Sequence, residues 1–228
     1  MPRKYKRNFR RRRRRPQRRS EWSRWGSWVR KGVSVGEMAA GALRGVGYLY
    51  GLVNSELYKL DTAITGSVPD TAGVNSLVAI AQGDGVNART GNSIFVRSIN
   101  WKGQCFRTTS GNAGQTVKLA LIMDTQQVGD TAPAFSDIYQ STTPYSHLNS
   151  SNVGRFKVLA SKIICLSSTG ELIKNFEINV PMRHHVRYNG TASTDIQKGG
   201  LYVAYVSDQA TTNYPSLQST VRVSYHDN

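Results

Sequence analysis

Cysteine and long apolar runs are both scarce in this sequence of 228 residues. The two cysteines, Cys105 and Cys165, lie in strand-like segments and form no metal-ligand pair, so we expect reduced core thiols in a protein made inside a cell. No window approaches the ~18 apolar residues of a membrane span. The charged N-terminus has no apolar stretch behind it, and we therefore expect no secretory signal.

Signatures of catalysis are also missing. No Gly-x-Ser-x-Gly, HExxH or paired-carboxylate pattern is present. Gly83 and Gly85 superficially fit a dinucleotide-binding loop, but residues 92–101 read as a strand where a helix would have to follow. His184 and His185 are adjacent and should point to opposite faces of a strand, which is poor geometry for one metal ion. We expect no enzyme, no metal and no cofactor.

Acidic residues are almost missing from residues 1–31. Glu21 stands against 15 Lys and Arg there, a net charge of 15 − 1 = +14 out of the chain's +16. The six consecutive arginines Arg10–Arg15 repel one another and bury little apolar surface, so we predict an arm that is disordered until it meets an anion. Guanidinium groups bind phosphate bidentately, and each contact with a polyanion releases counterions. Nucleic acid is the partner that this composition favours.

Aromatic residues are interleaved with these charges, and such rings stack on unpaired bases, which suits single strands. The predicted nucleic-acid-binding residues are Arg3, Lys4, Lys6, Arg7, Arg10, Arg11, Arg12, Arg13, Arg14, Arg15, Arg18, Arg19, Trp22, Arg24, Trp25, Trp28, Arg30 and Lys31. A nuclear localisation signal alone is one alternative, and host import machinery is also expected to use the same residues. A membrane-surface patch is the other alternative, but Arg10–Arg15 has no accompanying apolar face.

Residues 32–75 are predicted to form a short amphipathic helix followed by a linker. Apolar residues recur at spacings of three and four at Leu43, Val46, Tyr50, Val53, Leu57 and Leu60. Glycines weaken this helix, so it needs a surface, either the body of the protein, a partner subunit or a lipid interface. Residues 61–75 contain glycine and proline breakers and are interpreted as the linker.

Residues 76–228 are predicted to form an all-β domain, an eight-stranded jelly roll of two four-stranded antiparallel sheets. The predicted strands are 76–82, 92–108, 116–124, 155–167, 171–180, 184–188, 201–207 and 220–225. In jelly-roll order, the first, third, sixth and eighth of these strands share one sheet. Residues 167–171 should form a tight hairpin, and residues 125–154 are the one long connection.

Two segments of the chain resemble the capsid proteins of small circular Rep-encoding single-stranded DNA (CRESS) viruses. The pattern is Asn-x-Glu-x-x-Lys, followed by Ile-x-x-Gly, Arg-x-Gly-Asn-x-Ile and a basic strand. It is carried by Asn54, Glu56, Lys59, Ile80, Gly83, Arg89, Gly91, Asn92 and Ile94. The jelly roll of that group is also similar to that of satellite plant-virus coat proteins, which package RNA. The resemblance implies a small icosahedral shell of 60 subunits (T=1) with the arm inside.

Basic residues of the body are candidates for extending the lining of such a shell. Arg89, Arg155 and Lys157 are the main candidates, and Arg97, Lys102, Arg107 and Lys118 are further ones. For Arg89 the alternative is a local ion pair or a bond to a loop carbonyl, and for the others it is a solvated strand face. The loop glycines Gly83, Gly85 and Gly91 are expected to need a positive φ.

The function that the sequence predicts is therefore a capsid protein that binds and packages single-stranded nucleic acid, with circular DNA as the expected cargo. Its expected locations are the virion and, during assembly, the host nucleus. A single-stranded RNA satellite-virus coat protein and a cellular nucleic-acid-binding protein are the alternatives, and a carbohydrate-binding jelly roll with a targeting arm is a third.

Overall fold

The structure is a computed structural model that describes residues 56–108, 114–127, 129–167, 169–170, 172–210 and 213–227. Within these residues it contains nine strands, the short helix α1 (Phe135–Ile138) and a 3-10 turn (Ser150–Asn152). The strands are β1 (Tyr58–Ser67), β2 (Gly73–Ser76), β3 (Ser93–Phe106), β4 (Gln115–Asp124), β5 (Phe156–Leu166), β6 (Ile173–Tyr188), β7 (Ile196–Lys198), β8 (Gly200–Ser207) and β9 (Ser216–Asp227). In this part of the chain no helix is long and apolar enough to cross a membrane.

The strands form two antiparallel sheets. One has five strands in the order β1-β9-β3-β6-β7, and the other has four in the order β2-β8-β4-β5. When the three-residue β7 is left out, eight strands remain and can be counted along the chain. The first, eighth, third and sixth of them (β1, β9, β3 and β6) form one sheet, and the second, seventh, fourth and fifth (β2, β8, β4 and β5) form the other. This is the strand order of a jelly roll, and the predicted fold class is confirmed.

The main core lies between the two sheets. Trp101 on β3 is fully buried, and its ring meets that of Phe176 edge-on at 5.3 Å. The indole Nε1 donates to Ser219 Oγ at 3.0 Å, and Ser219 Oγ donates to the carbonyl of Ile64 at 3.0 Å. The three strands β3, β9 and β1 are therefore linked through buried side chains as well as through their backbones.

β1 contradicts part of the predicted helix and linker. Leu60, assigned to the helical stripe, lies in a strand and packs against the core, and Ile64 on the same side is buried. β1 pairs with β9 along its whole length, from Tyr58 opposite Tyr225 to Ser67 opposite Ser216. Burial alternates along β1, as in a strand. The three-residue spacing between Leu57 and Leu60 also fits a helix, however, and this ambiguity explains the wrong helix prediction. The rest of the stripe, Leu43 to Val53, lies outside the described residues.

Three predicted strands are also changed. The segment 76–82 holds buried Leu77 and Val78, but β2 has ended at Ser76. The predicted strands 171–180 and 184–188 are one strand, β6, which continues through Pro181. On one side of β6, the strand β7 pairs only with Arg187 and Tyr188. Pro181, which has no N–H, therefore has no sheet partner on that side.

These differences change the predicted pairing. The expected hairpin at 167–171 is wrong, because β5 belongs to the four-stranded sheet and β6 to the five-stranded sheet. The predicted strand 116–124 was expected to share a sheet with 184–188 and 220–225. It belongs to the four-stranded sheet, whereas those two segments belong to the five-stranded sheet. The jelly-roll rule itself holds. Because β1 is the first strand of the jelly roll, each predicted strand before β6 moves one place further along the strand order than predicted.

A bulge in β5 places the apolar residues of this strand on two different faces of the sheet. Leu121 lies opposite Ala160, but Ile122 lies opposite Val158, so Leu159 is an extra residue. Beyond this bulge Phe156 packs on the outer side of the four-stranded sheet, whereas Ile164 packs in the core between the sheets.

Candidate nucleic-acid interface

The arm residues predicted to bind nucleic acid, from Arg3 to Lys31, lie outside the described residues. Within the described part, the outer faces of the two sheets differ in character. On the four-stranded sheet, the outward residues Ala120 and Ile122 are buried beneath Phe135 and Ile138 of α1 and the neighbouring Tyr139. The long connection therefore covers this sheet. The outer face of the five-stranded sheet carries polar and charged side chains instead, and it is the surface to consider for nucleic acid.

One half of this open face is neutralised by ion pairs. Arg222 holds Asp61 bidentately, with both N–O distances at 2.7 Å, and Lys102 Nζ lies 3.0 Å from Glu177 Oε1. The hydrogen bonds from Arg222 and Lys102 lower the pKa of Asp61 and of Glu177, respectively. A shallow groove of about 250 Å³ lies between them, lined also by Asn100. Paired charges of this kind give little net attraction for a phosphate.

The other half of the face carries four exposed cations, which we call the basic end: Arg97, Arg183, Arg187 and Lys198. None of them forms an ion pair with a described carboxylate. Arg97 is the extra residue of a bulge in β3 relative to β9, since Val96 lies opposite Tyr225 and Ser98 opposite Ser224. Arg187 and Lys198 are register partners on neighbouring strands. The basic end is thus concentrated where the sheet is distorted.

The two adjacent histidines behave as predicted, because they lie on different faces. Nε2 of His184 is 3.2 Å from the carbonyl of Gly199, whereas the ring of His185 lies 4.7 Å from the ring of Phe95. Burial lowers the pKa of His184, with the charges of His185, Lys157 and Lys198 acting in the same direction and the Gly199 bond opposing them. No group of three or more metal-binding side chains occurs among the described residues.

Arg89 does not line a surface, contrary to the predicted phosphate contact. Its side chain is fully buried and donates to the carbonyls of Ile80 at 3.1 Å, Gly91 at 2.6 Å and Gly190. The guanidinium carbon also lies 4.0 Å from the centre of the Tyr188 ring. Arg89 therefore ties two loops to the sheet, which is the alternative that the sequence left open.

The glycines around Arg89 correct a second expectation. Gly83, Gly85 and Gly91 are not among the described residues with positive φ, a conformation found instead at positions such as Gly154 and Gly199. The shape of the 83–91 loop is held by hydrogen bonds rather than by unusual backbone angles, because Arg89 N donates to the carbonyl of Ala81 at 3.0 Å.

Arg155 is also engaged within the subunit. Its Nη2 and Nε lie 2.8 Å and 3.1 Å from the carboxylate oxygens of fully buried Asp124, and only 17% of its side chain is exposed. Lys157 is exposed, as a lining residue would be, but it belongs to β5 rather than to the open face. Of these three main candidates, only Lys157 presents its charge to solvent.

The further candidates divide in the same way. Arg97 belongs to the basic end, and Lys102 is ion-paired with Glu177. Lys118 is buried, donates to the carbonyl of Ser146 at 2.9 Å and lies 3.8 Å from the centre of the Tyr139 ring. Burial lowers the pKa of Lys118. Lys118 thus anchors the covering connection and is unsuited to contact nucleic acid.

The sequence prediction missed Arg183, Arg187 and Lys198. The first two lie on alternate positions of β6 with His185 between them, a pattern that places all three on one face. Splitting this strand at Pro181 hid that pattern. A reading of residues 181–187 as one continuous strand would have revealed it.

Comparison with known proteins gives a family match. The sequence model described as "Satellite tobacco necrosis virus coat protein" matches residues 54–228, which is most of the chain. No curated protein sequence matches it.

Similar solved structures include chains of three plant viruses. A chain of Desmodium yellow mottle tymovirus is 9% identical, with 75% of this chain and 88% of that chain covered and a TM-score of 0.33. A chain of turnip yellow mosaic virus is 11% identical, with 75% and 94% covered and a TM-score of 0.34. For maize chlorotic mottle virus the identity is 11%, the coverage is 75% and 93%, and the TM-score is 0.33. The match of the family model over residues 54–228 shows that this chain belongs to the satellite tobacco necrosis virus coat protein family.

Proposed function

We propose that this coat protein of a small icosahedral virus encloses single-stranded nucleic acid, and that RNA is its cargo. Membership of the family makes the role structural, as a component of the virion. The choice of RNA follows the similarity to satellite plant-virus coat proteins rather than the circular DNA expected from residues 54–101. In the particle the arm condenses the strand by phosphate contacts while the jelly rolls associate into a shell.

The observation that carries this proposal is the position of the basic end relative to the start of β1, the first described strand. The described chain enters the five-stranded sheet at β1, and Tyr58 lies opposite Tyr225, which in turn lies opposite Val96. Neighbouring strands are about 4.8 Å apart, so the start of β1 is roughly 10 Å from the bulge at Arg97. β1, the first described strand after the +14 segment in the sequence, therefore begins beside the part of the open face whose described cations form no ion pair with a described carboxylate.

Charge matching sets the scale of the cargo. A shell of 60 copies, the number that we propose, would contribute about 60 × 14, or roughly 840, positive charges from its arms. Each nucleotide brings one phosphate, and mobile cations neutralise part of the remainder. The expected cargo is on the order of one to two thousand nucleotides. Duplex is disfavoured, because it is stiff over about 50 nm and resists bending inside a small shell.

The test is to isolate particles assembled by the full chain, treat them with nuclease and extract the protected nucleic acid. Single-stranded RNA of the expected length supports the proposal. Fully duplex cargo, or cargo several times longer than two thousand nucleotides, would overturn the copy number or the charge matching. Preparations that form no particles and protect nothing would contradict packaging itself.

Circular single-stranded DNA is the second candidate cargo, and the pattern from Asn54 to Ile94 favours it. In that case the arginine-rich arm also serves nuclear import, because runs of Lys and Arg act as nuclear localisation signals. Protected DNA in the extracted particles, together with nuclear accumulation of the full chain that is lost when Arg10–Arg15 are replaced by glutamine, would support this candidate over RNA.

A further inference from the structure

A register shift between β3 and β6 accompanies a groove between two arginines. Arg97 has no partner residue on β6, where the two residues Met182 and Arg183 oppose it. The groove has a volume of about 410 Å³ and is lined by Arg97, Pro181, Met182 and Arg183. This volume accommodates a nucleotide-sized ligand, and the groove combines two guanidinium groups with the side chains of Pro181 and Met182.

Two aromatic rings lie near Arg97, one of the residues that line this groove. The Phe95 ring is half-buried on the same outer face, 4.7 Å from the His185 ring and 5.8 Å from the guanidinium carbon of Arg97. Guanidinium forks hold phosphate oxygens, and exposed rings stack on unpaired bases of any sequence. The groove therefore offers both contacts that a nucleotide of a single strand makes.

The second groove on the same sheet, in its ion-paired half, differs from the groove at Arg97 in charge and in aromatic neighbours. Around Lys102 and Arg222 the cations are matched by Glu177 and Asp61, and only polar Asn100 and Thr220 complete that groove. It has no ring on which a base would stack. The two grooves thus have equal numbers of cations but different expected affinities for a nucleotide.

We propose that the groove between Arg97 and Arg183 is a binding site for one unpaired nucleotide, with its phosphate between the two guanidinium groups and its base on the Phe95–His185 pair. The inference rests on the proposed function, because the nucleotide belongs to the packaged strand. A base held in a duplex cannot stack on Phe95, so the site distinguishes single strands from duplex. The body of the coat protein, and not only its arm, then takes part in choosing the cargo.

The experiment compares two charge-matched double variants of the full chain. Arg97→Gln/Arg183→Gln removes two cations from the proposed site, and Lys102→Gln/Arg222→Gln removes two from the ion-paired half. Binding of a single-stranded RNA octanucleotide is measured over a range of NaCl concentrations. We expect the first variant to reduce the slope of log K against log salt by about 0.7 to 1.4, the effect of one to two phosphates, and the second to change it by less than half as much.

A second pair of variants tests the ring. We expect Phe95→Leu to weaken single-strand binding at least about fivefold, the lower end of measured stacking contributions, without changing duplex binding. Phe106→Leu, on the same strand at the other end of β3, is the control and should leave both affinities unchanged. Circular-dichroism melts of all four variants establish that each is folded.

Three results would overturn the site. Equal slopes for the two double variants would show that only net charge matters, and an unchanged affinity in Phe95→Leu would exclude stacking. Loss of shell assembly in Arg97→Gln/Arg183→Gln with normal RNA binding would mean that the groove receives an acidic group of a second copy. None of these results would prevent full-chain particles from protecting single-stranded RNA, so failure of the site is distinguishable from failure of the proposed function.

Discussion

Arg155 and Asp124 form a bidentate ion pair that closes one end of the four-stranded sheet. Asp124 is the last residue of β4 and is fully buried, and Arg155 immediately precedes β5. Asp124 also accepts a hydrogen bond from Gln126 N at 3.0 Å, and Arg155 lies 4.6 Å from the centre of the Phe156 ring. The pair thus joins the two ends of the long connection between β4 and β5.

Replacement of Arg155 by methionine should destabilise the protein by about 3 kcal/mol, because the buried carboxylate of Asp124 loses its partner. The control is Arg222→Met, which breaks the exposed pair with Asp61 and should cost less than about 1 kcal/mol. Urea unfolding of the full chain, monitored by circular dichroism, measures both values. Similar costs for the two variants would show that the burial of Asp124 does not matter.

Replacement of Arg89 by lysine should lower stability by about 1–3 kcal/mol while leaving nucleic-acid affinity unchanged. A lysine ammonium cannot reach the carbonyls of Ile80, Gly91 and Gly190 with the geometry of the guanidinium fork, so buried acceptors lose their donors. Thermal melting and RNA titration of the same sample test the two halves of this prediction. A loss of affinity at unchanged stability would restore Arg89 as a phosphate contact.

Gly103→Ala should destabilise the protein by more than about 2 kcal/mol. A Cβ at this position would lie 2.6 Å from the carbonyl oxygen of Gln218 and against Ser219, both on the neighbouring strand β9. Because backbone is in the way, no side chain can move to make room. Gly83→Ala is the control, since its nearest neighbour would be Ala88 Cβ at 3.7 Å. Equal melting temperatures for the two variants would contradict the close approach of β3 and β9.

The two thiols should react at very different rates. Cys165 is exposed and Cys105 is buried, and burial raises the pKa of Cys105 from 9.0 to about 12. A thiol reagent should therefore label one cysteine per folded chain and two in denaturant, and Cys165→Ser should abolish labelling of the folded chain. Labelling of the Cys165→Ser variant at the rate of the unfolded chain would contradict the burial of Cys105.

Alkaline pH should weaken the fold through the same buried thiol. With its folded pKa raised, the stability linked to Cys105 is fully present below about pH 9 and is lost as the pH rises towards about 12, because only the unfolded chain ionises in that range. Urea midpoints measured between pH 8 and 11 should fall less steeply in Cys105→Val than in the parent chain. Parallel curves would show that other groups account for the alkaline loss.

The sequence predicted the fold class because the segments that form β3 and β4 are long and rich in strand-forming residues. Val117, Leu119 and Leu121 on β4 face the core. The errors arose where tertiary pairing decides the outcome. A bulge at Leu159 reverses the face of half a strand, and no pattern within β5 alone marks it. Pro181 lies in β6 where β7 does not pair with it and at the register shift with β3, which are properties of the sheet and not of the segment.

The candidate site was predicted less well for a similar reason. Charge alone identifies cations, but it does not show which of them are already paired. Arg89 and Arg155 looked equivalent to Arg97 in the sequence, yet their partners, three loop carbonyls and Asp124, come from distant positions in the chain. Cys165 shows the same limitation in the core assignment, since a strand residue at the end of an edge strand can face solvent.

The connection that covers the four-stranded sheet also provides a position for peptide display. Its exposed tip closes on itself, because Gln140 N donates to the carbonyl of His147 at 3.0 Å and Ser141 N donates to Ser146 Oγ at 2.9 Å. Tyr145 in this tip is 66% exposed. A foreign epitope inserted between residues 142 and 145 would therefore be held at its base by bonds already present, on the side of the sandwich opposite the basic end.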